Sequence, residues 1–368
     1  MNAMLFVFAA MLAVAPPQAQ DRARLVEMAR AGRAAEAWKI WRAQPASVER
    51  TRTGVLIAAA AQEIGTGVKL YTDLAAQSRK DDPDALRTLA VAAAGRLTTA
   101  PADEVKIGAC GILLRSGGDA PACADLLEGV RGDASPDRQA TAVYRLANAG
   151  HRPWPELFRT MPDRLSSTTR LQIARTLTRL PAAERVDLIV PIFDRDPDTA
   201  QQSAAATLLG DIRGPEALTA LNRLAARDLD FTVKLMVNLA LARHGDAAAL
   251  RFVEQMKHGL VGPRAVDAGL VLALAGNPYG ADPKRMIETT MTAERARIAL
   301  MVSPQQPDLA RSAVRSMMAD PSPQIREAGL RAAGTLAMGF ERVVYARLED
   351  LDPAVRLAAI DAILQTTG

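Results

Sequence analysis

A unit of roughly 31 residues repeats along the second half of this chain, and no other feature of the sequence restricts the fold as strongly. The clearest copies are "DPSPQIREAGLRAAG", which begins at Asp320, and "DLDPAVRLAAIDAIL", which begins at Asp350. In each copy the aspartate is followed six residues later by an arginine, Arg326 or Arg356. Self-similarity at such a period is typical of helix pairs stacked into a solenoid.

The same spacing recurs further upstream with less regular chemistry. The upstream aspartates and the residues six positions after them are Asp228 with Lys234, Asp196 with Gln202, and Asp133 with Gln139. Because glutamine is uncharged, two of these copies can form hydrogen bonds but no ion pairs at this position.

Composition and periodicity favour an all-helical fold. Alternating strand patterns are almost absent, whereas helical periodicity recurs from Arg22 to the end of the sequence. Short connectors rich in Gly, Pro and Asp separate the helical stretches. Aromatic residues make up only 4% of the chain, which favours thin layers of closely packed helices over one thick core. We therefore predict an all-α, right-handed α-solenoid of stacked antiparallel helix pairs.

The repeat resembles the HEAT repeat, especially the short bacterial form first noted in phycobilisome lyases. The resemblance depends on the "D-x-x-P-x-[VI]-R-x-A" segments at 320 and 350 and on the connectors "LLGDIRGPEAL" and "ARHGDAAAL". It is strongest over 190–368, weaker over 81–190, and reduced to generic helix pairs over 21–80. We expect a signal peptide at 1–19, divergent helical-hairpin repeats at 20–190, and HEAT-like repeats at 191–368 that continue the preceding segment.

The resemblance implies a structural role for the repeated aspartate and for the basic residue that follows it. In HEAT repeats of this kind the aspartate lies in the turn before the second helix, where it can accept hydrogen bonds from free N–H groups. It can also pair with the basic residue of a neighbouring layer, which gives a ladder of contacts along the stack. We name as the repeat ladder Asp133, Asp196, Asp228, Lys234, Asp320, Arg326, Asp350 and Arg356.

The N-terminus has the pattern of a secretory signal peptide. An uninterrupted apolar run from Ala3 to Val14 is followed by Pro16, Pro17 and the small residue Ala19, which favours cleavage near Ala19 or Gln20. The run is shorter than the roughly 20 residues of a membrane-spanning helix. We expect a periplasmic or secreted protein with no stable membrane span after cleavage; the alternative is an apolar first helix packed on the solenoid.

The two cysteines, Cys110 and Cys123, lie on either side of the turn sequence "RSGGDAP". In an antiparallel helix hairpin both positions fall at a similar distance from the turn, so the two sulfurs can meet. An oxidising compartment favours a disulfide between them. In the cytosol they would be ordinary buried thiols.

Charge and motifs exclude several classes of function. The net charge is +4, and arginines are not concentrated in the dense stripe that nucleic-acid binding requires, so we expect no nucleic-acid partner. The sequence has no nucleophile elbow, no phosphate-binding loop and no H-E-x-x-H metal motif. The three histidines, His151, His244 and His258, match no ligand spacing. We predict no cofactor, no metal and no catalytic residue.

The three tryptophans have different expected roles. Trp38 and Trp41 are three residues apart, which places them on one helix face, and we expect core contacts within the first helix hairpin. Trp154 lies between two prolines in a loop. It either fills a gap between repeats or contacts a partner.

The final helix carries more apolar residues than one packed face requires. Val355, Ala359 and Ile363 form one side, whereas Leu357, Ile360 and Leu364 form another. A terminal repeat normally has a polar outer face. We therefore expect Leu357, Ile360 and Leu364 to dock on a second copy of the chain or on another protein.

Two functions remain open from the sequence. The first is a non-enzymatic scaffold or adaptor of the cell envelope that binds a protein or peptide on the solenoid surface. The second is an enzyme or enzyme accessory, because some relatives of these short repeats act in attaching or removing tetrapyrrole chromophores. A third, weaker option is an anionic polymer bound by an arginine-rich face.

Overall fold

The structure, a computed structural model, describes residues 17–116, 121–131, 142, 145, 166–176, 181–277 and 280–367. Within these ranges all regular structure is helical, which confirms the predicted all-α class. Residues 1–16 of the predicted signal peptide lie outside the described ranges, as do Asp133, Gln139 and Trp154. None of the described helices is long and apolar enough to cross a membrane.

The chain divides into two compact units, with the division at Ala93 and Ala94. The sequence-based boundary at 190/191 lies inside the second unit. The helices up to the division are α1 (Pro17–Arg30), α2 (Ala34–Ala43), α3 (Val48–Ala60), α4 (Ile64–Ser78) and the first part of α5 (Pro83–Leu97).

The core of the first unit forms around the tryptophan pair. Trp38 is buried with Leu25 and Ile57, and Trp41 packs against this cluster. The two indole rings meet edge to face with their centroids 5.2 Å apart. The indole N–H of Trp38 donates to the carboxylate of Glu63, and that of Trp41 donates to the backbone oxygen of Arg50. Both indole donors are therefore hydrogen-bonded, as is usual for a tryptophan in a core. The predicted core role of this pair is confirmed.

The second unit repeats one pattern, a pair of helices in every layer. We call the first helices of these pairs series A, whose members start roughly 30 residues apart, and the second helices series B. Before the repeats come α6 (Asp103–Arg115), α7 (Pro121–Arg131), α8 (Ser167–Thr176), α9 (Ala182–Ile189) and α10 (Ile192–Arg195). Series A consists of α11 (Thr199–Asp211), α13 (Phe231–Arg243), α15 (Pro263–Leu274), α17 (Glu294–Val302), α19 (Pro323–Thr335) and α21 (Pro353–Thr367). Series B consists of α12 (Pro215–Ala225), α14 (Ala247–Met256), α16 (Pro283–Thr289), α18 (Pro307–Met318) and α20 (Arg342–Tyr345).

Local sequence explains where these helices begin and how closely they pack. The side chains of Asp198, Asp230 and Asp246 each accept a backbone N–H in the first turn of the helix that they precede. α11 contacts α13, and α13 contacts α15. At the first of these contacts a Cβ added to Gly210 would lie 2.9 Å from that of Ala240. Small residues at the crossings therefore allow the thin layers that the low aromatic content predicted.

The last helix, α21, is covered on the side that the sequence predicted to be free. Ile360 and Leu364 are buried and Leu357 is half-buried. A Cβ added to Gly108 of α6 would lie 2.5 Å from Cδ2 of Leu357. Arg115 of α6 also lies 3.4 Å from a carboxylate oxygen of Asp361, in the last helix. The expectation that Leu357, Ile360 and Leu364 form an exposed docking face is therefore wrong, because α6 occupies it.

Cys110 and Cys123 lie at disulfide distance, as predicted, with their Cα atoms 4.9 Å apart. The bridge joins α6 to α7 within a small apolar cluster that includes Ile107 and Leu127. The helix that covers the end of the repeats is thus held covalently to its hairpin partner.

Reduction of this bridge is expected to lower the free energy of unfolding of the second unit by about 3 kcal/mol, because the closed loop is short. Urea unfolding followed by circular dichroism, with and without dithiothreitol, measures the difference. The Cys110→Ala/Cys123→Ala double variant is the control, since the reductant should not change its midpoint. An unfolding midpoint of the wild type that is insensitive to reductant would contradict the prediction.

Candidate binding groove

A cavity of the second unit lies at the C-terminal ends of the series A helices. It has a volume of about 640 Å³ and is lined by residues of α11, α13, α15, α17 and α19, together with α9. Four arginines line it, so we call it the arginine groove: Arg185, Arg213, Arg243 and Arg297.

The floor of the groove is apolar. Leu208 comes from α11, Val271 and Leu274 from α15, and Leu300 and Met301 from α17. Leu274 and Leu300 are only half-buried, so their side chains are accessible from the groove. The site therefore combines an apolar surface with a cationic wall, which is a common composition of sites for amphipathic ligands.

Two of the four arginines are already paired with acids of the same unit. Arg243 forms an ion pair with Asp211, and Arg297 forms ion pairs with Asp267 and Glu294. Burial opposes the charge on Arg297, but the two acids outweigh it and raise the pKa of this guanidinium. Both arginines are thereby held in fixed positions at the groove.

The other two arginines keep more of their binding capacity. Arg185 donates from Nε to the backbone oxygen of Ala174 at 3.0 Å, and burial lowers its pKa while Asp211 opposes that effect. Arg213 is exposed, and among the described residues it has neither an ion pair nor a hydrogen bond. Its positive field extends to His244, whose pKa is lowered first by burial and then by Arg213.

The repeat ladder lies at the opposite, N-terminal ends of the series A helices. Arg326 donates two hydrogen bonds to the carboxylate of Asp350 in the next layer, at 2.9 and 2.8 Å. It also donates to the backbone oxygen of Asp320, the aspartate six residues before it, at 3.0 Å. Arg356 makes the equivalent bond to the backbone oxygen of Asp350 at 2.6 Å. The spacing of six residues therefore allows the arginine side chain to donate a hydrogen bond to the backbone oxygen of the aspartate in its own layer.

Upstream, the ladder is incomplete. Gln202 donates to the backbone oxygen of Asp196 at 2.7 Å, which keeps the bond within the layer without a charge. Asp228 and Lys234 are both exposed, and neither side chain has an ion pair or hydrogen bond with any residue that the structure describes. Ladder residues and lining residues do not overlap, so the ladder is not part of the groove.

None of the four groove arginines was predicted from the sequence. Arg213 and Arg243 lie in the connectors "LLGDIRGPEAL" and "ARHGDAAAL", at or just after the end of a series A helix, and this shared position is the signal that could have identified them. Arg185 of α9 and Arg297 of α17 have no such signal. Within the described ranges, no group of three or more His, Cys, Asp or Glu side chains could hold a metal ion.

Comparison with known proteins adds no relative to this description. No protein-family model matches the chain, and no curated protein is significantly similar to it.

Proposed function

We propose that this chain is a non-enzymatic interaction protein built from HEAT-like repeats, and that it holds a segment of a partner protein in the arginine groove. The observation that carries the proposal is the groove itself, to which five consecutive series A helices contribute their C-terminal ends. Neighbouring helices pack roughly 8–10 Å apart. Five of them have four spacings and so span about 32–40 Å, the length of roughly ten to twelve extended residues.

We further propose that the protein acts in the cell envelope, in the periplasm or outside the cell. Support comes from Cys110 and Cys123 at disulfide distance, because disulfides persist in oxidising compartments. The apolar run from Ala3 to Val14, which has the pattern of a signal peptide, points to the same compartment.

A pair of matched tryptophan variants tests the groove. Ala275 and Ala226 are both exposed alanines just after a helix end, with φ, ψ of −82°, 2° and −80°, −6°. Ala275 lines the groove and Ala226 does not. Selection of a displayed random dodecapeptide library on the purified chain should enrich peptides that bind at micromolar affinity. We expect Ala275→Trp to weaken their binding at least tenfold by filling the groove, whereas Ala226→Trp leaves it unchanged.

Both variants are expected to stay within about 0.5 kcal/mol of the wild-type stability, because neither position is buried. Failure to enrich any peptide whose binding depends on Ala275 would overturn the proposal. Enriched peptides that lose binding equally in both variants would place the binding surface elsewhere.

A further inference from the structure

We infer that the segment bound in the arginine groove is acidic, with carboxylates interspersed among apolar side chains, and that Arg213 binds one of these carboxylates. This inference rests on the proposed function, because it specifies the ligand of the same groove. It assigns a specificity-determining role to a residue that forms no hydrogen bond or ion pair with the described residues.

The arrangement of charges in the groove favours a ligand with a negative charge beside Arg213. Among the described residues the lining includes four arginines and one acid, Asp211, which is already paired with Arg243. Arg297 is already paired with two acids, Asp267 and Glu294. A ligand that covered Arg213 with apolar atoms would bury an unpaired charge, which is costly. A carboxylate there can instead accept two parallel hydrogen bonds from the guanidinium group.

The apolar residues of the groove favour a ligand that also carries apolar side chains. Leu274 and Leu300 remain partly accessible beside the cationic wall. Contact with a leucine, valine or phenylalanine side chain would remove these surfaces from water. A ligand that carried only charges would leave the floor hydrated and lose this contribution.

The apolar part of the lining favours a polypeptide over a phosphate polymer. Leu274 and Leu300 line the groove and are only half-buried. A peptide can place apolar side chains on these leucines while one of its carboxylates binds Arg213, whereas polyphosphate has no apolar group.

The composition of the peptides selected from the dodecapeptide library tests the inference. Peptides whose binding depends on Ala275 should be enriched in Asp or Glu interspersed with apolar residues. Arg213→Gln should weaken them about tenfold or more, because it removes a charge-assisted hydrogen bond. The matched control is Arg223→Gln in α12, an exposed arginine without a described partner and outside the groove, and it should change binding less than twofold.

The outcomes separate this inference from the proposed function. Peptides that depend on Ala275 but lack acidic residues, or that respond equally to Arg213→Gln and Arg223→Gln, would overturn the inference and leave the groove as a peptide site. Displacement of the peptides by inorganic polyphosphate at equal charge concentration would overturn it in favour of an anionic polymer. Absence of any peptide that depends on Ala275 would overturn the proposed function itself.

Discussion

Replacement of Asp350 by asparagine is expected to lower the free energy of unfolding of the second unit by about 3 kcal/mol. Its side chain is only 2% exposed and accepts two hydrogen bonds from Arg326, whose side chain is 13% exposed. The carboxylate also accepts the backbone N–H of Asp352 and lies 3.3 Å from a guanidinium nitrogen of Arg347. Asparagine retains one acceptor oxygen but leaves Arg326 without a counter-charge in a partly buried place.

The matched control is Asp320→Asn in the preceding layer. Asp320 occupies the same repeat position and accepts the N–H of Ser322, but its carboxylate forms no ion pair among the described residues. We expect a loss of at most about 1 kcal/mol there, the size of a helix-cap contribution. Urea unfolding by circular dichroism measures both values. Equal losses of stability in the two variants would show that the ion pair between Arg326 and Asp350 does not contribute to the free energy of unfolding.

The effect of Asp350→Asn should depend on pH. Burial favours the neutral carboxyl, but hydrogen bonds from Arg326 and from the N–H of Asp352 outweigh it and lower the pKa of Asp350 below the ordinary value of 3.8. Because the folded pKa lies below the unfolded one, the stabilisation is complete above the unfolded pKa and is lost as pH falls through the folded pKa. The difference between wild type and variant should be constant above about pH 5 and shrink below about pH 4.

Features fixed by short-range sequence were predictable in this chain. The period of roughly 31 residues predicted the alternation of helices, and the turn between Cys110 and Cys123 predicted their meeting. The contact between layers from Arg326 to Asp350 is of the kind that the resemblance to HEAT repeats implied. At Asp228 and Lys234 the same spacing gave no contact, because a lysine lacks the planar fork with which an arginine can bind a carbonyl and a carboxylate together.

Features that depend on how distant segments meet were not predictable. The groove forms because stacked layers bring Arg213 and Arg243, from two connectors 30 residues apart, to the same side of the unit as Arg297 of α17. In the sequence, each of these arginines alone is indistinguishable from a solvated surface charge. The cover of α21 comes from α6, and its Arg115 is 246 residues before Asp361. Helical periodicity indicates that a face is apolar but does not indicate which segment covers it.

Because the last helix is covered, replacement of Ile360 by glutamate is expected to lower the free energy of unfolding of the second unit by about 4 kcal/mol or more. Ile360 is 0% exposed in the helix that α6 contacts. A glutamate there would lose its hydration, which is costly for a charged group. The measurement is the shift of the urea midpoint followed by circular dichroism at pH 7.

Leu351→Glu is the control for this variant, because Leu351 is 96% exposed in the turn just before the same helix. It should stay within about 0.5 kcal/mol of the wild-type value. An Ile360→Glu protein as stable as Leu351→Glu, with only its sedimentation changed, would mean that α6 does not cover this face in solution. In that case Leu357, Ile360 and Leu364 would again be available to a partner, because an apolar helix face without an internal cover requires an external one.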